Sequence, residues 1–248
     1  RHPGPHQGAT GRLIGVTMPP IGNPARRACM ARLLLGLLPA GWAQAGTQLE
    51  EPLSHAVRSA LSAAVAAAAP PEPLLVTPQD QQAYAQWQAA CSQRLTRYTR
   101  HPTERQEFLQ TLWYEARRAG LSLSLVLGLI QVESAFRKHA VSPAGARGYM
   151  QVMPFWTRSI GDGDASRLFH MQTNLRFGCV ILRHYLDREG GDLFMGLGRY
   201  NGSRGQAAYP DAVQTAQRRW LQAVMSGRGR SGRRSTPTGG RGRVRADP

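Results

Sequence analysis

The stretch LGLIQVESAFRKHA, residues 127–140, carries a single carboxylate, Glu133, directly after an apolar run. The residues just before it, 122–126, alternate like a strand, but the length of the segment and its continuous apolar run favour a buried helix. Four apolar residues share the face of the acid on that helix: Val126, Leu129, Ile130 and Phe136. A buried charge is costly unless it is paired or neutralised, so the role of Glu133 decides what the protein does.

Two interpretations of Glu133 follow from these neighbours. In the first, Glu133 forms an ordinary ion pair with Arg137, four residues on, at the edge of the apolar face. In the second, an apolar pocket raises the pKa of Glu133 until the carboxyl group can donate a proton near neutral pH.

Two loops after this helix favour the second interpretation. In SPAGARGYMQVMP, residues 142–154, small residues around two glycines predict a tight loop whose backbone can approach a ligand closely. The same loop carries Tyr149 and two methionines around one amide, Gln151, which suits a sugar ring with hydroxyls at its edge. A later loop, GRYNGSRG, adds Tyr200 and Asn201. Together the loops indicate a carbohydrate cleft.

Four motifs in order carry a resemblance to a known family: QVESAF, AVSPAGARGYMQVMP, NLRFGCVILRHYL and GRYNGSRG. They are similar to the lytic transglycosylase domain of the soluble-lytic (SLT) type, which is related to goose-type lysozyme, and the similarity covers about residues 121–220. The departures are small: Tyr149 replaces the usual Leu, Arg199 the frequent Ala, and Gly202-Ser203 the usual x-Gly.

The resemblance implies an all-α, lysozyme-like domain that cleaves the β-1,4 bond between N-acetylmuramic acid and N-acetylglucosamine. Glu133 is then the single general acid/base. It protonates the leaving oxygen and afterwards takes the proton of the muramyl C6 hydroxyl, which attacks the anomeric carbon and gives a 1,6-anhydro end. Because the nucleophile is part of the substrate, one carboxylate suffices. The family needs no metal and no organic cofactor.

The resemblance also implies six substrate-binding residues: Ser142, Met150, Gln151, Met153, Tyr200 and Asn201. The serine and the tyrosine are expected beside Glu133, the two amides on the glycan, and the methionines as the apolar floor. Helix entry and close helix packing explain Asn174 and Gly178 better than ligand binding does.

Two other functions fit the same scaffold. One is a lysozyme-like hydrolase that activates water with a second acid, for which Asp162, Asp164 and Asp192 are candidates. The other is a catalytically inactive glycan-binding protein.

The positive charge of the chain is concentrated at its ends. Of the formal +16, residues 226–248 carry +6 and residues 1–45 carry +5, so the central 180 residues hold only +5. Nucleic acid is therefore not the expected partner. The resemblance implies peptidoglycan strands as the partner instead, and the Arg-rich tail is a candidate contact with anionic wall polymers.

The N-terminal part has the order of an export signal: arginines, then an apolar run over residues 33–42, then Ala43-Gln44-Ala45 before Gly46. The run is too short to span a membrane, so the sequence predicts a periplasmic protein cleaved near Ala45 that does not cross the membrane. Four segments are expected: 1–45 upstream residues and signal, 46–78 an Ala/Pro-rich helix and linker, 79–225 the lysozyme-like domain, and 226–248 a disordered tail.

Two cysteines follow the signal, Cys91 and Cys179. In an oxidising compartment they are a candidate disulfide, which would contribute on the order of 4 kcal/mol in the chain-entropy description. Two separate buried thiols explain them nearly as well.

Overall fold

The computed structural model describes residues 48–66, 75 and 77–232, with side chains up to residue 226. These residues form α1 (His55–Ala66), α2 (Pro78–Leu95), α3 (Pro102–Arg118), α4 (Leu123–Ser134), α5 (Phe155–Ile160), a 3₁₀ turn (Ala165–Phe169), α6 (Met171–Arg188), α7 (Leu193–Asn201) and α8 (Ala208–Gly232). Within this part of the chain, extended pairing is limited to isolated bridges around Arg147. The predicted all-α class is confirmed.

Some predictions concern residues beyond this range. The expected signal in residues 1–45 lies outside the described residues, as does the expected tail beyond residue 232. Helix α8 runs to Gly232, past residue 225 where the domain was expected to end. The next proline, Pro237, comes only after this point, so no helix-breaking ring intervenes. In the described part of the chain, no helix combines the length and the apolar character that spanning a bilayer requires.

Helix α4 is the centre of the fold and is buried along most of its length. It packs mainly against α8, and Gly128 makes that approach possible, because a Cβ at this position would lie 2.7 Å from the backbone nitrogen of Gln217. Trp220 of α8 donates a hydrogen bond from Nε1 to Oε1 of Gln131 at 2.9 Å. The alternating start of this segment is therefore helical, and its apolar residues are covered on several sides.

Local sequence signals set the ends of the other helices. Thr77 caps α2 in a reciprocal capping box with Asp80, and Pro78 occupies the first helical turn. Helix α3 ends before Gly120, which has a φ of +64°. Asp192 caps α7 by accepting a hydrogen bond from the Met195 N–H at 3.0 Å.

Residues 48–66 add a second layer to the helical core. Helix α1 packs on α5 and α6, and Arg176 donates to the carbonyl of Val65 near the end of α1 at 3.4 Å. Ahead of α1, residues 48–53 form an N-terminal strap. Gln48 accepts a hydrogen bond from Trp156 Nε1 at 2.8 Å, and Glu51 pairs with Arg199 at 3.1 Å.

The candidate disulfide is not formed in the structure. Cys91 of α2 and Cys179 of α6 are both buried free thiols. Helix α3 packs against both of these helices. Burial raises the pKa of Cys91 to about 12, so this thiol stays protonated at neutral pH.

Candidate active site

Glu133 lies in the last turn of α4 and is only 9% exposed. The helix ends one residue later, because Ala135 and Phe136 both adopt positive φ, at 48° and 61°. Arg137 is consequently not one helical turn beyond Glu133, and its Nε donates to the carbonyl of Ser134 at 3.0 Å. The geometry does not support the simple helical ion pair that the four-residue spacing suggested.

A tyrosine from α8 holds the acid. The hydroxyl of Tyr209 donates a hydrogen bond to Oε1 of Glu133 at 2.5 Å, and both side chains are buried. The other carboxyl oxygen, Oε2, is buried without a hydrogen-bond partner among the described residues. One oxygen is thus positioned by the protein, and the other is a buried acceptor that no described residue satisfies.

Burial decides the protonation state of this carboxyl group. Removal from water raises the pKa of Glu133 to about 8, and the hydrogen bond from Tyr209 opposes that rise without cancelling it. Glu133 therefore carries its proton at neutral pH, which a general acid requires.

Tyr200 of α7 lies within the electrostatic influence of the acid. Burial, and then the charge of Glu133, raise the pKa of Tyr200 well above its usual value. Its hydroxyl stays protonated and donates to the carbonyl of Met150 at 2.8 Å. Tyr200 therefore links α7 to the loop of residues 142–154 that precedes α5, since Met150 belongs to that loop.

Hydrogen bonds inside residues 142–154 fix the shape of that loop. Ser142 Oγ accepts from the Ala146 N–H at 3.1 Å. Gln151, with a φ of 48°, donates from Nε2 to the carbonyls of Ala140 and Gly148 at 3.1 and 2.9 Å. The donor side of the Gln151 amide is therefore engaged within the loop.

The loop is supported from below by α4 and α6. Ser134 Oγ donates to the Tyr149 carbonyl at 2.7 Å, and Asn174 Oδ1 accepts from the Met150 N–H at 2.8 Å. The side chain of Met150 is fully buried over Gly178, where a Cβ would lie 2.3 Å from the Met150 sulfur. Asn174 and Gly178 are thus structural, but not in the expected way: Asn174 anchors the loop from inside α6 instead of forming the helix entry, and Gly178 makes room for the Met150 side chain instead of another helix. Met150 is part of the core, whereas Met153 is half-buried.

Asn201 ends α7 beside Tyr200. Its side chain is buried and donates from Nδ2 to the hydroxyl of Ser203 at 3.0 Å. Gly202 follows with a φ of +83°, which closes the helix and starts the loop to α8.

The three aspartates considered as a second acid are exposed or at helix ends. Asp162 accepts from the Asp164 N–H at 3.1 Å and pairs with Arg167. Asp164 accepts from the Ser166 N–H at 2.9 Å, and Asp192 caps α7. Hydrogen bonds lower the pKa of Asp162 and Asp164, so both are ionised at neutral pH. Among the residues that the structure describes, no group of three His, Cys, Asp or Glu is placed to hold a metal ion.

Tyr209 is the site residue that sequence reasoning did not find. It lies 76 residues from Glu133, and helical spacing alone puts it on the same apolar face as Val213, Ala216 and Trp220. The available signal was weak: a tyrosine placed directly before Pro210 at the start of the last helix.

Comparison with known protein families agrees with this geometry. The family model for the transglycosylase SLT domain matches residues 111–222. This part of the chain belongs to the SLT domain family. The SLT match includes the acid, both loops and Tyr209, while α1 and α2 precede it.

Individual relatives are similar over parts of their length. A transglycosylase of Enterobacteria phage PRD1 is 29% identical over 134 residues, which are 54% of this chain and 49% of the phage protein. Membrane-bound lytic murein transglycosylase C of Actinobacillus pleuropneumoniae is 37% identical over 84 residues, 31% of this chain and 23% of that protein. The chain therefore spans half or less of these two relatives.

Among solved structures, the chain is similar to an inactive mutant of the lytic transglycosylase Slt from Pseudomonas aeruginosa. The TM-score is 0.37 at 23% identity, over 62% of this chain and 29% of that one.

Proposed function

We propose that the protein is a peptidoglycan lytic transglycosylase that cleaves the β-1,4 bond between N-acetylmuramic acid and N-acetylglucosamine and leaves 1,6-anhydro ends. The observation that carries the proposal is the state of Glu133 in an SLT domain: a buried carboxyl group with a pKa of about 8, one oxygen held by Tyr209 and the other unpartnered. An acid in this state can protonate a leaving oxygen at neutral pH.

In the proposed reaction, Glu133 first donates one proton and then takes one back. Glu133 gives its proton to the glycosidic oxygen as the bond to the anomeric carbon breaks. The resulting carboxylate takes the proton of the muramyl C6 hydroxyl, whose oxygen forms the new bond to the anomeric carbon. No water is consumed, and the acid returns to its starting state. Tyr209 donates a hydrogen bond to the carboxylate and so stabilises it between the two transfers.

The surrounding residues are assigned supporting roles. Gln151 and Asn201 bind the glycan, the first through its remaining acceptor oxygen, since its amide donates to two loop carbonyls. Ser142 and Tyr200 orient the sugar and the loop, and Met153 offers a half-buried apolar surface. Met150 acts from inside the core, by supporting the loop that carries Gln151.

The capping roles of Asp162, Asp164 and Asp192 favour this lyase over a hydrolase, since each aspartate already accepts backbone hydrogen bonds at a turn or helix start. A hydrolase would need one of them free to activate water.

We further propose a periplasmic location, with a signal peptide ending near Ala45, because peptidoglycan lies in that compartment. The seven arginines of residues 226–248, against the single acid Asp247, suit contact with anionic wall polymers.

Digestion of purified peptidoglycan tests the reaction. The protein is incubated with the wall polymer, and the released fragments are weighed by mass spectrometry. Anhydro ends, lighter by one water than the reducing ends of a hydrolase, are the expected result. Reducing ends would replace the proposal with the lysozyme-like hydrolase, and the absence of cleavage would favour a glycan-binding protein.

A further inference from the structure

A basic turn follows directly after the catalytic helix. Residues 137–141 are Arg137, Lys138, His139, Ala140 and Val141, and Lys138 is the only lysine of the chain. These five residues line a cavity of about 430 Å³. Of the residues that line it, three are basic and two are small aliphatic ones, and none is acidic.

The backbone fixes where this cavity lies. Ala135 and Phe136 both have positive φ, so the chain turns sharply as α4 ends. Such conformations are strained for residues other than glycine, and they persist where packing and hydrogen bonds hold them. Phe136 is buried against the rings of Phe108 and Trp220. Because of this turn, residues 137–141 do not continue along the path of α4.

Hydrogen bonds tie the segment to both halves of the site. Arg137 Nε donates to the carbonyl of Ser134, the residue after the acid. The Ala140 carbonyl accepts from the Gly148 N–H at 2.9 Å and from Gln151 Nε2 at 3.1 Å. Arg137 lies four positions after Glu133, so their Cα atoms lie at most about 14 Å apart.

We propose that this cavity binds the carboxylates of the stem peptide on the muramyl residue that is being cleaved. The inference rests on the proposed function, because it needs a muramyl group beside Glu133. The stem peptide leaves the lactyl group of that sugar and carries several free carboxylates and alanine methyl groups. Arginine and lysine side chains match the carboxylates, and Ala140 and Val141, the latter 60% exposed, match the methyl groups.

Stem recognition makes a specific kinetic prediction. Two substrates are prepared from one batch of uncrosslinked glycan strands: intact strands, and strands from which an amidase has removed the stems. The Arg137→Gln/Lys138→Gln variant should lose at least about tenfold in kcat/KM on intact strands, since it removes two charged donors that would bind the stem carboxylates. On stripped strands it should stay close to the unchanged protein.

Two further variants serve as controls for this test. Lys138→Gln alone leaves the Arg137–Ser134 hydrogen bond in place and should show the same selective loss to a smaller degree. Arg97→Gln/Arg219→Gln removes the same charge from the groove between α2 and α8, and should lose no more than about twofold on either substrate. An equal loss on both substrates in the first variant, or a matching loss in the groove variant, would overturn the proposal.

Direct binding separates this inference from the proposed function. Free stem peptide, released by the amidase, is titrated into ¹⁵N-labelled protein. The backbone amides of residues 137–141 should shift, and the shifts should disappear in the Arg137→Gln/Lys138→Gln variant. If the protein cleaved neither strand, the proposed function would fail while this titration still decided the subsite. Unmoved amides at residues 137–141 would refute it.

Discussion

Glu115 and Glu133 are two buried carboxylates on packed neighbouring helices, α3 and α4, and their partners differ. Glu115 is 1% exposed and accepts hydrogen bonds from Nε and Nη2 of Arg176 at 3.1 and 2.9 Å. Glu133 receives its hydrogen bond from the neutral phenol of Tyr209. A guanidinium supports a buried carboxylate, whereas a phenol in an apolar pocket leaves the acid protonated.

The comparison teaches that burial alone does not make an acid catalytic. Glu115 connects α3 to α6, and its pairing with Arg176 uses the charge for structure. Glu133 keeps its proton, and one of its oxygens stays unpartnered. The difference lies in the charge of the group placed opposite each carboxylate.

The largest effect is expected from removing the proton of Glu133, the proposed catalytic acid. Glu133→Gln keeps the size of the side chain and an acceptor for Tyr209, but it has no proton to give. Turnover of peptidoglycan should fall by about 10³-fold or more, at the upper range of general acid catalysis. Release of soluble fragments measures it, with Asp162→Asn as the exposed control. Near-normal turnover in the Gln variant would remove Glu133 from the mechanism.

Breaking the Glu115–Arg176 pair should lower the stability of the protein and not the rate of the reaction. Arg176→Met leaves Glu115 buried with the longer contacts to Arg118 Nε at 3.6 Å and Gln172 Nε2 at 3.5 Å, and should lower the free energy of unfolding by up to about 3–5 kcal/mol. Urea denaturation measures the change. The double variant Glu115→Gln/Arg176→Met should recover much of the loss, because the buried charge that lost its main partner is gone. A double variant no more stable than Arg176→Met would show that the lost contact with Val65, and not the charge, dominates.

The raised pKa of Glu133 should appear as a pH dependence of stability. The unfolded chain releases this proton near pH 4.5, whereas the folded protein holds it up to about pH 8. The stability that the neutral acid contributes is therefore complete below pH 4.5 and declines as the pH rises through 8. Glu133→Gln lacks this decline and should exceed the parent by a few kcal/mol at pH 8.5, but not at pH 4. Parallel urea curves at both pH values test it, and an equal difference at the two would count against the raised pKa.

The smallest effect is expected from removing the hydroxyl of Tyr209. Tyr209→Phe removes the hydrogen bond that lowers the pKa of Glu133, so the alkaline limb of kcat/KM should move to higher pH. The rate at pH 7 should drop about tenfold, because the carboxylate formed between the two proton transfers loses a charge-assisted hydrogen bond. Tyr200→Phe, whose hydroxyl bonds the Met150 carbonyl, should leave the limb in place. If the alkaline limb of kcat/KM stayed at the same pH in Tyr209→Phe, Tyr209 would have no role in setting the pKa of Glu133.

The sequence predicted the helical class and the two loops because periodicity and glycine placement are local signals. The turn at Ala135 and Phe136 could not be predicted in this way. Neither residue type favours positive φ, and the turn depends on Phe136 packing against rings far along the chain. Tyr209 was missed for the same reason. Met150 was read as a groove residue because the family motif gives its neighbourhood but not its depth, and only the packing on Gly178 reveals it.

The N-terminal strap has a practical consequence for the production and modification of this protein. Its residues precede the SLT match, yet Gln48 bonds Trp156 of α5, and Glu51 reaches Arg199, next to Tyr200. Trimming the protein at the family boundary would remove the Gln48 contact with α5 and the Glu51 contact with α7, the helix that bears Tyr200 and Asn201. Affinity tags and fusion partners belong ahead of residue 48, where they leave the contacts of the N-terminal strap intact.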